Sequence, residues 1–398
     1  MTRHYSINNI RLHIAAAIVL LATLLPSGAG AFNLSTYTEN SRMASGRWVK
    51  ISVDADGIYL LSNTQMRKMG FTDPSKVHIY GYGGRQLPDR LTERGYIDDL
   101  PMVQTMRTDR GLLFYAEGVT QAVTQTGRYV RPKQNAYTDL GYYFVSDCDG
   151  NDREIPKEGA PTATSPETSF IDYIFHEKDL VSLASTGQQY GGEDFLYTPT
   201  RAYSFTLNDV VSSSQVWLAC SFMTTASSES RVKFTAYGNE LPYSPTDAIS
   251  STASEHGNYR ATVTTKTFTA TDEKLPIGVT FSRTGTVSAA HLDYLAVNYL
   301  RRLSMSGAQL LFTLPSNQAA LANAGSSTVV WDITSPLSII AMNAGLDGTT
   351  LRWTNDYTGN RRYVAFDPSA TFAEPKYVGS VANQNLHGVE VPDMVIFT

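Results

Sequence analysis

Two cysteines, Cys148 and Cys220, and five histidines, His78, His176, His256, His291 and His387, are the side chains of this 398-residue sequence best suited to nucleophilic catalysis. A catalytic thiol needs a lowered pKa and a general base within reach. Cys148 stands between Asp147 and Asp149, whose charge disfavours a thiolate. Cys220 closes the apolar run Gln215-Val-Trp-Leu-Ala-Cys220 and reads as a core residue. The histidines share no motif, so no catalytic residue is expected in this chain. A Cys148 to Cys220 disulfide stays open at this level, because an oxidising compartment permits it and the spacing does not decide it.

Other motifs lack a required member. Gly81-Tyr-Gly-Gly84 has glycines that would let backbone amides approach a phosphate, but the third glycine of a dinucleotide loop and the long helix after it are missing. It reads as a backbone bend. His176-Glu-Lys-Asp-Leu180 opens like a zinc-protease helix and places Leu180 where the second histidine belongs. Asp147, Asp149 and Asn151 have the spacing of the first half of a calcium loop, with Glu158 at its twelfth position, yet Asp152 occupies the place of the turn glycine. A solvated acidic turn competes with a weak calcium site there. No metal, cofactor or catalytic residue is assigned.

The elements that would carry these residues are short strands. Trp48-Val-Lys-Ile-Ser-Val53, the Asp56-Gly57 turn and Ile58-Tyr-Leu-Leu61 read as a β-hairpin. A short helix follows, capped by Ser62 or Asn63, with Met66 and Met69 on one face and Gly70 at its end. Val77–Tyr80, Gly111–Tyr115 and Gly141–Val145 are expected strands, and the polar stretch from Asp149 to Glu167 separates this region from the next. Between Ser169 and Arg302 six alternating segments, at 203–207, 215–220, 232–237, 259–263, 277–281 and 291–299, predict a β-sandwich of jelly-roll type. Further strands are expected at 308–312, 327–331, 349–353 and 362–366. Pro375 to Glu390 reads as a linker to a terminal apolar strand, Met394-Val-Ile-Phe-Thr398.

Arg3 and Arg11, the apolar run Ile14–Leu25 and the small residues Ala29 and Ala31 form the pattern of a secretory signal peptide over 1–31. The apolar run is shorter than the ~20 residues a membrane-spanning helix requires. Removing the segment leaves 30 basic against 37 acidic residues, a charge near −7. An acidic chain without basic clusters argues against nucleic acid as a partner. The 23 tyrosines raise one other possibility, a self-contained adhesin or glycan-binding module with aromatic platforms, although strand-rich folds favour tyrosine in any case.

Taken in order, several segments resemble a known family. Gly46-Arg-Trp-Val-Lys-Ile-Ser-Val-Asp-Ala-Asp-Gly-Ile-Tyr59, Met69-Gly-Phe71, Val77-His-Ile-Tyr-Gly-Tyr-Gly-Gly84, Asp98-Asp-Leu-Pro101 and Leu113-Phe-Tyr-Ala-Glu-Gly118 are similar to the amino-terminal region of PorU-type proteins, gingipain-like cysteine endopeptidases that act as the sortase of the type IX secretion system. Tyr142-Tyr-Phe144, His176-Glu-Lys-Asp-Leu180, Gly191-Gly-Glu-Asp-Phe195, Leu292-Asp-Tyr-Leu-Ala-Val-Asn-Tyr-Leu-Arg-Arg-Leu303 and Val381-Ala-Asn-Gln-Asn-Leu-His-Gly388 continue the match in the same order.

The resemblance implies a parent protein that cleaves the carboxy-terminal sorting domain of secreted cargo at the surface of a Gram-negative cell and joins the cargo to anionic lipopolysaccharide. It implies that Met394–Thr398 corresponds to the first strand of a caspase-like α/β peptidase domain, and that the family's catalytic His and Cys lie downstream of it. The expected architecture is therefore mainly β. A signal peptide at 1–31 precedes an amino-terminal β-rich domain at 32–160, a β-sandwich at 161–305, a small β subdomain at 306–375, and a linker with the first strand of a truncated peptidase domain at 376–398. The expected partners are that missing peptidase domain, outer-membrane type IX components and cargo.

Overall fold

The computed structural model describes residues 38–86, 98–125, 129–148, 150–183, 189–249 and 259–389. The expected signal peptide, His256, Asp149 and the expected terminal strand Met394–Thr398 lie outside them. No helix among the described residues is long and apolar enough to cross a membrane. The chain forms two compact units. The smaller one gathers, among the described residues, 38–44, 98–99 and 384–389, and the larger one holds every sheet.

In the larger unit the first strands are β1 (Trp48–Val53), β2 (Gly57–Ser62), β3 (His78–Gly83), β4 (Thr105–Arg107), β5 (Gly111–Ala116), β6 (Gln121–Gln125), β7 (Tyr129–Lys133), β8 (Gly141–Ser146) and β9 (Lys157–Glu158). β1 and β2 do not form the expected hairpin. β1 pairs with β8 and with Lys376–Val381, whereas β2 pairs with β5 in a separate sheet. The physical reason is burial on both faces. Tyr59 and Leu61 of β2 join Val49, Ile51 and Val53 in one core, while Ile58 and Leu60 face Trp331, Val364 and Phe366 in another. A two-stranded hairpin would leave one of these faces wet, so the chain crosses between sheets at Asp54–Asp56.

The helix α1 (Asn63–Lys68) forms as expected: the Ser62 hydroxyl accepts from the Gln65 N–H, Met66 is buried, and Gly70 follows with φ +92°. At Gly81-Tyr-Gly-Gly84 strand β3 is bulged, its register with β8 shifting between Tyr80 and Gly83.

The next eight strands are β10 (Ser169–Glu177), β11 (Thr200–Thr206), β12 (Gln215–Thr224), β13 (Ser230–Ala236), β14 (Asn239–Thr246), β15 (Arg260–Thr269), β16 (Lys274–Ser282) and β17 (Ala290–Arg302). They form two antiparallel sheets of order β10-β17-β12-β15 and β11-β16-β13-β14. Numbered from one, the orders are 1-8-3-6 and 2-7-4-5, the jelly-roll arrangement. Leu218, Cys220, Phe222, Phe234, Val279, Phe281 and Leu295 fill the space between the sheets. β10 and β14 are strands the sequence pattern did not reveal. β13 and β14 are joined by Tyr237 and Gly238, both at positive φ, which fits a two-residue hairpin turn whose twist suits antiparallel strands. The Tyr237 hydroxyl, donating to the Asp272 carbonyl at 2.6 Å, holds a bulky residue in a conformation it rarely adopts.

The last strands are β18 (Gln309–Leu314), β19 (Gln318–Leu321), β20 (Val329–Asp332), β21 (Ile340–Met342), β22 (Gly345–Asp347), β23 (Thr350–Thr354), β24 (Arg361–Phe366) and β25 (Lys376–Val381). They build the sheets β18-β24-β20-β21-β9 and β19-β23-β22 around Trp353, Tyr363 and Phe312. Two segments expected as connectors are corrected here. Residues 157–167 line these sheets: β9 pairs in parallel with β21, Ala160 bridges Thr354 and Glu167 bridges Ala319. Residues 376–381, expected within a linker, are the edge strand β25 beside β1. Lys-Tyr-Val-Gly-Ser-Val reads as a linker because an edge strand keeps much of its surface in water and needs no apolar run.

Candidate functional site

The sequence-flagged nucleophiles lie in unrelated surroundings. Cys220 sits fully buried on β12 in the jelly-roll core, and burial, reinforced by the Asp293 charge, pushes its thiol pKa far up. It is held as a neutral apolar side chain. Cys148 is exposed; the Ser146 hydroxyl donates to its Sγ at 2.9 Å, and the thiol faces the Ser45 carbonyl at 3.7 Å. Both cysteines are free, which answers the disulfide question left open by the spacing.

The four described histidines make four different contacts. His78, buried on β3, meets Asp152 at 3.1 Å. His176 meets Glu193 at 3.0 Å, and His291 meets the Gly192 carbonyl at 3.0 Å. His387 belongs to the smaller unit, where its Nδ1 lies 3.0 Å from the Thr38 carbonyl oxygen. The surrounding Asn-Gln-Asn-Leu-His segment clamps residues 38–44: Asn385 Oδ1 accepts from the Ser41 N–H at 2.8 Å, Asn385 Nδ2 donates to Asn40 at 2.6 Å, and the Gln384 N–H donates to the Met43 carbonyl at 2.9 Å. Asp98 and Asp99 accept from the backbone N–H groups of Thr38 and Arg42, both at 2.6 Å. These bonds tie three chain segments together within the smaller unit.

The acidic loop disperses its ligands. Asp147 and Asn151 are exposed, Asp152 is tied to Arg107 and His78, and Glu158 lies on β9, accepting from the Tyr357 hydroxyl at 2.5 Å. Among the described residues no group of three His, Cys, Asp or Glu side chains could hold a metal ion.

Three clusters that motif reasoning missed carry the charge of the larger unit. In the first, Arg85 pairs with Asp56 and, at 3.2 Å, with Glu117, while Arg362 of β24 reaches Asp56 at 3.2 Å and Glu117 at 3.5 Å. The Tyr115 hydroxyl accepts from Arg362 at 2.9 Å. Two cations therefore balance two anions and tie the β1–β2 crossover to the last sheet.

In the second, Glu177 on β10 and Asp293 on β17 stand together on the outer face of the jelly roll. Burial, followed by the Asp293 and Asp179 charges, raises the Glu177 pKa to about 8, and burial also raises that of Asp293. Gln189 donates to Asp293 at 2.9 Å, while Oε2 of Glu177 is buried without a hydrogen-bond partner among the described residues. Hairpin β6–β7 covers part of this face: Tyr129 packs on Ala219, Tyr294 and Ala296, and the fully buried Asn298 exchanges two hydrogen bonds with the Val130 backbone at 2.8 and 3.0 Å. The sequence did hold a sign of this site, since Asp293 and Asn298 interrupt the apolar run of β17.

The third is a cleft of ≈ 400 Å³ beside β11, lined by His176, Lys178, Glu193, Arg201 and Tyr203. Burial raises the Glu193 pKa, but hydrogen bonds from Lys178 and His176 outweigh it and hold the carboxylate below its usual range.

These features define a class first: a mainly β, multi-sheet chain organised around a jelly roll, whose charged clusters bind parts of the chain to one another. No family model matches the sequence, and no curated protein matches it. Among solved structures, the dimeric latent form of PorU from Porphyromonas gingivalis matches with a TM-score of 0.79 and 29% identity, covering 90% of this chain and 35% of that one. The chain is a PorU-like amino-terminal region, spanning about a third of the length of that PorU chain. A family 35 carbohydrate-binding module from Clostridium thermocellum matches 34% of the chain at a TM-score of 0.21 and 13% identity, too low for any argument.

Proposed function

We propose that this chain is the non-catalytic amino-terminal portion of a sortase-like cysteine endopeptidase of the type IX secretion system, exported by residues 1–31 and displayed at the cell surface. The observation that carries the reading is the PorU-like fold over 90% of the chain. Its support is that the described cysteines and histidines serve packing and local hydrogen bonds. Its role is to support a peptidase domain and to present it to cargo and outer-membrane partners, with 32–160, 161–305 and 306–375 as its domains and β25 completing the first sheet. We further propose that it self-associates, as the PorU neighbour is dimeric.

The test is the DNA beyond codon 398. A continuing or adjacent frame encoding a His/Cys peptidase domain supports the proposal; unrelated sequence contradicts it.

A second reading, a surface glycan binder, draws on Tyr137 and Tyr197, whose side chains are 83% and 86% exposed. It expects retention on a glycan array that Tyr197→Ala abolishes, and it fails if no glycan is retained.

A further inference from the structure

The sheet β25-β1-β8-β3 has two ends, and they differ. At β3 the backbone is covered, because Gly81 donates to the Pro101 carbonyl at 3.0 Å, Val103 donates to that of Ile79 at 2.8 Å, and Tyr80 bridges Met102. At the other end β25 lies at the edge of the sheet, with Lys376, Tyr377, Val378 and Ser380 exposed. Tyr377 and Val378 are 55% and 49% exposed, two adjoining apolar side chains on a strand whose outer backbone has no partner strand among the described residues. An uncovered edge of this kind is a template for another strand. We propose that β25 is the surface through which two copies of this chain associate, pairing edge to edge and antiparallel across a two-fold axis.

The sequence of the strand favours a second copy over a foreign strand. Antiparallel self-pairing sets each strand against its own reverse, so the uncharged Tyr377-Val-Gly-Ser380 centre of one copy meets the same centre of the other. The two Lys376 residues fall at opposite ends, about 17 Å apart at the ~3.4 Å rise of a strand. Each Lys376 ammonium already engages Asp54 of its own chain at 2.8 Å, so it does not guard the edge. The bulge between Lys50 and Ile51 leaves Val378 without a partner residue on β1 and limits regular pairing to a few residues. Because β3 is closed, this sheet offers a single open edge among the described residues, and an isologous contact made by one edge closes as a dimer instead of growing into a fibre.

This inference rests on the proposal that the chain self-associates, and the experiment separates the two. Light scattering of the purified chain at tens of micromolar is expected to give twice the chain mass, and Val378→Asp, which brings two carboxylates together at the axis, is expected to return it to a single chain with an unchanged circular dichroism spectrum. Hydrogen exchange provides the second readout: in the wild type the backbone amides of 376–381 should exchange more slowly as concentration rises. A wild-type monomer overturns self-association itself. A dimer that survives Val378→Asp, or whose 376–381 amides show no concentration dependence, overturns the placement on β25.

Discussion

Two clusters of buried charge in the larger unit are built on opposite terms. Around Asp56, Arg85, Glu117 and Arg362 every charge has an opposite partner and the cluster is neutral. Around Glu177 and Asp293 carboxyl groups outnumber Arg131, the cation that acts on them, and burial raises the pKa of both. The balanced cluster can only tie segments together, since its members satisfy one another. The unbalanced cluster makes its part of the fold sensitive to pH. An acidic outlier is therefore a matter of desolvation without compensation, and it does not by itself mark catalysis.

The largest effect expected from breaking the comparison is at the balanced cluster. Arg85→Ala leaves Asp56 and Glu117 to share Arg362, so that buried negative charge is in excess, and should cost about 3 kcal/mol, read as a fall in the urea midpoint. Asn298→Ala comes next: it leaves the Val130 N–H and carbonyl without partners and opens a small cavity under β7, costing about 2 kcal/mol, with faster amide exchange across 129–133 as the local sign.

Glu177→Gln sharpens the comparison. The folded carboxyl, at about 8, titrates above its ordinary value of 4.5, so the folded state binds the extra proton between those values. Wild-type stability therefore falls as pH rises from about 5 to about 8 and levels off beyond. The variant escapes that loss and should be about 1–2 kcal/mol more stable than the wild type at pH 8, with the two converging near pH 5. A urea titration at both values checks it. Asp293 shifts in the same direction and leaves a residual slope in the variant. Cys148→Ala should change stability by less than about 0.5 kcal/mol, since the thiol is exposed.

How far the sequence revealed this molecule depends on what each strand faces. All six alternating segments predicted between Ser169 and Arg302 are strands, because a sandwich strand buries one face and wets the other, and that alternation is written locally. β1 and β2 do not make the expected hairpin because their partners are about 50 to 330 residues away, and complete burial erases the alternation that would have named them. β25 failed in the opposite sense, its exposed edge looking like a connector. The charged clusters could not be assembled from the sequence for a further reason: Arg85 and Arg362, or Glu177 and Asp293, meet only through tertiary packing, and no spacing rule joins them, although Asp293 stands out in the apolar run of β17. The family resemblance, carried by the order of many modest segments, survived these local errors.

The central proposal is that the described cysteines and histidines are structural and that peptide cleavage belongs to a separate domain. Turnover of a peptide library by the purified chain, compared with its Cys148→Ala and Cys220→Ala variants, tests this most directly. The account predicts no turnover by any of the three; cleavage by the wild type that either substitution abolishes would contradict it.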